Sequence, residues 1–372
     1  MSVCKSGFVV LALFGSVGTC SCFGASLTPI REITIADTIG VAKSAGGGAR
    51  VDALSFSPDN KKIAIVAAPA RRASLFARLL IANVERGGYD DIAEVSAGGQ
   101  PPQWSGQGDS VLAEDRLVRL VDGATCAIPG IFWFASAERI VSAQMGPVIG
   151  TEGIARTPKH STEFTIFDLS CQPIANWQTD ESWALADVSA DRGIGIVEKL
   201  NEEVALVQVA DGRVIRRWSA GQWPNFDAPK GSFADGGKVL CGVVGVGSGD
   251  EGHTVRCWRA DSGQLIASAP QDKHPSTPIA TATESTRVVF SEYRLIRGPI
   301  RDMDGELYTG AAVWDFAKNE IVASWHPRWQ SFETNERSPR TVRVPNKVAI
   351  SKDGKYVAEG GGGKIVVYRV DE

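Results

Sequence analysis

Apolar and polar residues alternate in short runs along most of this chain, and each run ends in a turn rich in Asp, Gly or Asn. The segments LLIANVERGG, LVRLVDGAT and FTIFDLSCQ show this pattern. Such alternation predicts half-buried antiparallel strands, because successive side chains of a strand point to opposite faces of its sheet. No long stretch has apolar residues at helical spacing, so the pattern predicts an all-β fold.

One strand-turn-strand pattern occurs near both ends of the chain. Phe56–Val66 reads FSPDNKKIAIV and Ile350–Gly360 reads ISKDGKYVAEG. Degenerate copies begin at five further positions, which are Trp104, Phe134, Val188, Phe233 and Ala282. The seven starts span six intervals between residues 56 and 350, about 49 residues each. A fixed period of this size indicates a solenoid or a propeller.

Each repeat holds two further strands after the first pair. The last strand of a unit is visible in GRVIRRW, GQLIASA and NEIVASW. Four strands per unit predict one four-stranded blade per repeat. We therefore expect residues 26–372 to form a single seven-bladed β-propeller of antiparallel blades.

The blade pattern resembles the WD40 and bacterial WD40-like β-propeller families. The residues that carry the resemblance are AVWDFAKNEIVASW and VAISKDGKYVAEGGGGKIVVYRVDE, and Trp314-Asp315 is the literal WD pair. The Gly-His dipeptide that opens many family repeats is missing, so the buried Asp-His-Ser-Trp network of the family is not carried over. In such rings an N-terminal strand completes the last blade. The resemblance thus implies that Arg31–Ile39, REITIADTI, closes this ring.

Residues 1–25 have the pattern of a secretory signal peptide. One lysine precedes the apolar stretch GFVVLALFGSVG, and small residues offer a cleavage site near Gly24 or Ala25. The alternatives are an uncleaved anchor or lipid attachment at Cys20 or Cys22. We expect a periplasmic or secreted protein with no membrane span after cleavage.

Four cysteines follow the predicted leader, and an even number in an exported chain allows two disulfides. These are Cys126, Cys171, Cys241 and Cys257. Four cysteines permit three connectivities. Cys241 and Cys257 lie symmetrically about a Gly-rich turn, which predicts that they face each other on a hairpin and pair. The alternative is a pair of buried free thiols.

The remaining composition narrows the chemistry. Forty glycines, 18 prolines and ten tryptophans suit a turn-rich β protein. A net charge of −4 and a pI near 5.7 argue against a nucleic-acid binder. The four histidines lack metal-ligand spacing. We therefore expect no metal, no cofactor and a monomer.

The long connections point to one face of the ring. In a four-stranded blade, the turns after the first and third strands lie on one face, and the other connections lie on the opposite face. Five long segments fall on that opposite face, namely 67–76, 146–161, 245–253, 294–310 and 325–347. Long insertions on a rigid scaffold commonly carry binding.

These insertions are rich in arginine, with Trp325 and Trp329 nearby in sequence. Our candidate binding residues are Arg71, Arg156, Arg294, Arg297, Arg301, Trp329, Arg337 and Arg340. Because arginine suits carboxylates and phosphates, they predict a protein partner or an anionic peptide or glycan. The alternative is a set of solvated loops. DMDGE, residues 302–306, supplies too few oxygens for calcium and is expected to be a solvated turn.

A propeller with arginine-rich insertions is compatible with two classes of function. The first is a non-catalytic scaffold that binds through the insertions. The alternative is a propeller enzyme, such as a lyase, hydrolase or quinoprotein, with its site at the mouth of the central channel. No catalytic residue is assigned, since a ring brings distant loops together in ways that sequence spacing does not show.

Overall fold

A computed structural model describes most of the chain after residue 26. The described residues are 27–35, 49–69, 76–96, 100–145, 161–179, 183–199, 203–219, 231–245, 253–270, 275–296, 305–326, 331–334, 341–344 and 346–371. The predicted signal peptide, with Cys20 and Cys22, lies outside them and stays a prediction.

The described residues form thirty strands and no helix. Blades 1 and 2 contain β2 (Ala49–Phe56), β3 (Lys62–Pro69), β4 (Phe76–Asn83), β5 (Tyr89–Ser96), β6 (Gln103–Trp104), β7 (Ser110–Ala113), β8 (Arg116–Arg119) and β9 (Thr125–Ala127). Blades 3 and 4 contain β10 (Ile131–Ser136), β11 (Arg139–Met145), β12 (Thr162–Asp168), β13 (Pro173–Thr179), β14 (Ala184–Ser189), β15 (Ile194–Lys199), β16 (Glu203–Gln208) and β17 (Val214–Ser219).

The remaining strands complete the other three blades and one extra hairpin. Blades 5 and 6 contain β18 (Gly231–Ala234), β19 (Val239–Gly245), β20 (His253–Arg259), β21 (Leu265–Ser268), β22 (Pro275–Thr281), β23 (Arg287–Ile296), β24 (Gly305–Asp315) and β25 (Glu320–Trp325). The hairpin is β26 (Ser331–Thr334) with β27 (Thr341–Val344). Blade 7 contains β28 (Lys347–Ile350), β29 (Tyr356–Gly361), β30 (Lys364–Val370) and β1 (Leu27–Thr34).

The seven sheets form a ring of four-stranded antiparallel blades, as the repeat predicted. The first strands of neighbouring blades contact each other all the way round, and β2 of blade 1 contacts β28 of blade 7. The first strands therefore line the axis. We call the face that carries the turns after first and third strands the lower face. The opposite face, which carries the long connections, is the insertion face.

The repeated motif is the lower-face turn of each blade. Ser57 Oγ donates to Asp59 at 2.6 Å and accepts the backbone N–H of Lys62 at 2.9 Å. In blade 7, Ser351 makes the same bonds to Asp353 at 2.7 Å and from the N–H of Tyr356 at 2.9 Å. The echo between the two ends of the chain is thus a shared turn chemistry that joins two strands.

Strand β1 closes the ring by pairing with β30. The register runs from Leu27 opposite Val370 to Thr34 opposite Lys364, with an irregularity after Pro29. This confirms the predicted closure but moves its bounds, since the strand starts four residues before Arg31 and ends at Thr34. Pro29 is tolerated because β1 is an edge strand.

The outermost strands pack over glycines in the turns of the next blade. The Trp177 ring fills the space where a Cβ of Gly212 would be, and Trp218 does the same at Gly263. Arg31 of the closing strand repeats this contact at blade 1, where a Cβ on Gly87 would lie 3.2 Å from Arg31 Cδ. The closing strand therefore makes the same kind of inter-blade contact as an ordinary outermost strand.

Two disulfides link the four cysteines. Cys241 and Cys257 are direct partners on β19 and β20, with Cα atoms 4.1 Å apart, which confirms the predicted pair. Cys126 on β9 of blade 2 bonds Cys171 in the turn after β12 of blade 3, with Cα atoms 6.2 Å apart. The second bridge therefore joins two neighbouring blades.

Candidate functional site

The long connections start and end on the insertion face, where the sequence placed them. The second strands of blades 1, 3, 5 and 6 end there at Pro69, Met145, Gly245 and Ile296. Seven of the predicted binding residues lie outside the described residues, namely Arg71, Arg156, Arg297, Arg301, Trp329, Arg337 and Arg340. Arg294 lies on β23, opposite Leu307 of β24. The binding role of all eight stays a prediction.

Two insertions contain strands that the sequence reading treated as irregular loops. Strands β23 and β24 pair as far as Ile296 and Gly305, so residues 294–296 and 305–310 of this segment extend the blade 6 hairpin. Segment 325–347 contains the hairpin β26–β27. These strands were missed because GELYTG and SFET lack the apolar alternation of a half-buried strand. The insertion face is thus partly built from regular strands.

Trp325, at the end of the outermost strand of blade 6, is half-buried against blade 7. Its Nε1 donates to Glu359 Oε2 at 2.8 Å, and its ring lies 5.6 Å from that of Tyr368. Glu359 also accepts Asn346 Nδ2 at 2.7 Å and is 1% exposed. These contacts join blade 6 to blade 7, so they give Trp325 a structural role between the two blades.

A group of charged side chains lies on the insertion face between blades 1 and 2. Arg50 and Asp52 of β2 form an ion pair. Glu114 and Asp115 form the turn between β7 and β8, and Arg116 Nη2 pairs with Asp115 Oδ2 at 2.9 Å. This acidic turn was not among the sequence candidates, because it is short and its neighbours come from a different blade.

A second polar group lies on the innermost strands of four successive blades. The Trp133 indole of blade 3 donates to the carboxylate of Asp187 in blade 4. Asp187 Oδ2 also accepts Ser232 Oγ at 3.0 Å and the Phe233 backbone N–H at 2.7 Å, both from blade 5. Ser232 in turn contacts Thr281 Oγ1 of blade 6 at 2.9 Å. This axial network connects four blades near the axis.

The pKa of the Asp187 carboxyl is higher than that of an ordinary aspartate. Burial in the centre of the ring raises its pKa to about 6, although several donated hydrogen bonds oppose the shift. Its partners are backbone N–H groups, a hydroxyl and an indole, none of which is an acid or base near neutral pH. The arrangement therefore fits a structural clasp between blades better than a catalytic pair.

We expect Asp187→Ala to lower the free energy of unfolding by about 3 kcal/mol, because it leaves several buried donors without their acceptor. Chemical denaturation followed by tryptophan fluorescence measures the change. Asp191→Ala is the matched control, since Asp191 is exposed in the lower-face turn of the same blade. Equal stability of the two variants would contradict the clasp.

The comparisons with known proteins concern the fold. The chain is similar to the β-propeller domain of Cps50 (Swd1) from Myceliophteria thermophila, with a TM-score of 0.58 and 11% identity over 93% of this chain and 100% of that one. It is also similar to a chain of the mitotic checkpoint complex, with a TM-score of 0.54 and 13% identity over 94% of this chain and 97% of that one. The fold is a WD40-like β-propeller. No family model and no curated protein matches the sequence.

The described part of the WD40-like ring has neither a metal-binding cluster nor a membrane-spanning helix. Among the described residues, no group of three or more His, Cys, Asp or Glu side chains is arranged to hold a metal ion. In the part of the chain that the structure describes, no helix has the length and apolarity needed to cross a membrane. Asp302 and Asp304 of the DMDGE segment lie outside this part.

Proposed function

We propose that this protein is an exported, non-catalytic scaffold that binds a protein partner, or an anionic peptide or glycan, on its insertion face. The observation that carries the proposal is the asymmetry of the ring. The lower face has short turns closed by their own hydrogen bonds, such as those of Ser57 and Ser351. The long connections leave from the insertion face, and β23 and β24 of ten and eleven residues extend towards it.

The charge of the insertions favours an acidic partner. Arginine forms bidentate hydrogen bonds with carboxylates and phosphates, and it is enriched among residues that dominate binding energy. Arg294, Arg297 and Arg301 belong to the insertion that β23 and β24 support. The second structural neighbour belongs to the mitotic checkpoint complex, which by its name is an assembly. This agrees with a scaffold role for a ring of this shape.

Export is part of the proposal. Two disulfides are typical of chains that fold in an oxidising compartment, and the sequence begins with the pattern of a signal peptide. The periplasm and the extracellular medium both meet this requirement. Fractionation of cells expressing the full chain, followed by N-terminal sequencing, tests the location and the predicted cleavage near Gly24 or Ala25.

We expect the triple variant Arg294→Ala, Arg297→Ala and Arg301→Ala to lose at least tenfold in affinity, because each lost charge-assisted bond is worth about 1.5 kcal/mol or more. The partner is first identified by crosslinking in the native cell and mass spectrometry, and affinity is then measured by calorimetry. The matched control removes three arginines from the lower-face ends of blades 1, 4 and 5, namely Arg86, Arg213 and Arg259. An unchanged affinity in the first variant would count against this insertion as the binding site.

The axial network offers little support for the alternative of a propeller enzyme. Asp187 has a raised pKa, but its hydrogen-bond partners are two backbone N–H groups, the Ser232 hydroxyl and an indole, with no imidazole and no second carboxyl among them. The scaffold function is therefore the one that the described geometry supports best.

A further inference from the structure

The connection between blades 1 and 2 is held at both ends by one tight turn. Asp115 Oδ1 accepts the backbone N–H of Ser96, the last residue of β5, at 3.2 Å. The neighbouring Glu114 carboxyl accepts the backbone N–H of Gln100, on the other side of residues 97–99. Two consecutive carboxyl groups of blade 2 therefore bind Ser96 and Gln100, which stand at the two ends of the connection from blade 1.

The two carboxyl groups have opposite surroundings. Asp115 is bonded by Arg116 at 3.1 and 2.9 Å, and Arg116 is also attracted by Glu94 of β5. Glu114 Oε1 is buried and has no hydrogen-bond partner among the described residues. One carboxylate of the turn is thus neutralised by a cation, whereas the other is not.

The charge of Asp52 in blade 1 does not compensate Glu114. Asp52 of β2 raises the pKa of Glu114 through its negative charge, as Asp115 does. The cation beside Asp52 is Arg50, whose Nη2 donates to Asp52 Oδ2 at 3.0 Å. An ionised Glu114 would therefore add a further negative charge close to Asp52 and Asp115, each of which is already paired with an arginine.

These surroundings give Asp115 and Glu114 very different pKa values. Hydrogen bonds from Arg116 lower the pKa of Asp115 to about 2. Burial, followed by the charges of Asp52 and Asp115, raises the pKa of Glu114 to about 7. Asp115 is therefore ionised at any physiological pH, whereas Glu114 changes its charge close to neutrality.

Blade 2 is the blade that a change in the charge of Glu114 should affect most, because its strands are short. Its strands contain two, four, four and three residues, whereas each strand of blade 1 contains eight. Fewer paired residues mean fewer ladder hydrogen bonds and a lower cost of local opening. A change of charge at the turn between β7 and β8 therefore acts on a blade whose local opening costs little free energy.

We propose that the Glu114–Asp115 turn is a pH-sensitive latch on the connection between blades 1 and 2. The latch is closed while Glu114 is neutral, and it loosens when Glu114 is ionised beside Asp52 and Asp115. Because the pKa of Glu114 in the folded chain lies above its ordinary value of 4.5, the stabilisation is complete below about pH 4.5 and is lost as pH rises through about 7. The latch therefore closes in mildly acidic surroundings.

Amide hydrogen exchange tests the latch in the full ring with both disulfides intact. Protection factors of the Ser96 and Gln100 amides, corrected for intrinsic exchange, are measured by NMR between pH 5 and pH 8. We expect the opening equilibrium constant of these amides to rise about 70-fold over this range, since the pKa of Glu114 is about 7 in the closed form and returns to its ordinary value of 4.5 in the open form. In Glu114→Gln, which is neutral throughout, it should stay constant. A flat profile in the native chain, or the same rise in Glu114→Gln, would overturn the proposal.

Two further variants separate the latch from general effects of charge. Glu94→Gln removes an exposed carboxylate near Arg116 and should leave the pH profile unchanged. Asp52→Asn removes a negative neighbour, leaves Arg50 in place and should move the midpoint to lower pH. This variant decides the matter if Glu114→Gln does not fold. A midpoint that is unmoved in Asp52→Asn, or moved equally in Glu94→Gln, would show that the turn is not the titrating element.

Discussion

Deletion of residues 26–40 is expected to destroy the folded ring. Strand β1 covers the edge of β30 along the register from Leu27 to Thr34. Ile33 of this strand and Ile35 just after it, which are 3% and 0% exposed, are buried in the core shared by blades 7 and 1. Removing two buried isoleucines costs about 4 kcal/mol or more before the lost strand pairing is counted, and the native margin is about 5–15 kcal/mol. The deletion therefore removes most or all of the stability.

Thermal unfolding followed by circular dichroism, together with gel filtration, measures this effect. The expected result is loss of the cooperative transition and aggregation through the uncovered edge of β30. The matched control, Glu32→Ala with Thr34→Ala, changes the exposed side chains of β1 and should stay within about 1 kcal/mol of the native chain. A synthetic peptide of residues 26–40 added in trans should restore the transition. An unchanged thermal midpoint in the deletion variant would refute the closure.

Loss of the Cys126–Cys171 disulfide is expected to have the next largest effect. The bridge closes a separation of 45 residues and joins blade 2, whose strands are the shortest, to blade 3. A disulfide that closes a loop of this length restricts the unfolded chain and thereby raises the free energy of unfolding by about 4 kcal/mol. The double variant Cys126→Ser and Cys171→Ser should therefore show a lower free energy of unfolding in urea by about this amount.

The Cys241–Cys257 disulfide supplies the matched comparison. It closes a separation of 16 residues within one hairpin, for which the same argument gives about 3 kcal/mol. Both sulfurs are fully buried, whereas Cys126 and Cys171 are partly exposed. Mild reduction of the native protein should thus open Cys126–Cys171 first, as thiol labelling and mass spectrometry would show. Preferential reduction of Cys241–Cys257 would contradict this order.

Local patterns were enough to predict the blades because each blade is a local structure. The lower-face turns of Ser57 and Ser351 need a short stretch of neighbouring residues, so their recurrence marked the repeat. The Cys241–Cys257 pair was predicted for the same reason, since both residues lie on one hairpin and its symmetry about a glycine-rich turn sets the register. The extended strands β23 and β24 were read in part as loops, because their outer ends lack apolar alternation.

Some candidate sites could be predicted from local sequence patterns, whereas others could not. The arginine-rich insertions were found from composition and from the rule that places alternate turns of a blade on opposite faces. Asp187 and Glu114 gave no signal, since a single acidic residue in a strand or tight turn is common in any chain. Their chemistry comes from partners in other blades, such as Ser232 for Asp187 and Asp52 for Glu114.

By itself, the sequence determined the all-β class, the number of blades and the face of the long insertions. These properties follow from alternation, turn residues and period, which act between residues close in the chain, whereas the strand that closes the ring was implied by the family resemblance. Only the tertiary structure decided which side chains meet across blades: the Cys126–Cys171 bridge, the axial network and the acidic turn between blades 1 and 2. Residues in different blades become neighbours through the curvature of the ring, and no local pattern of apolar and polar residues encodes that proximity.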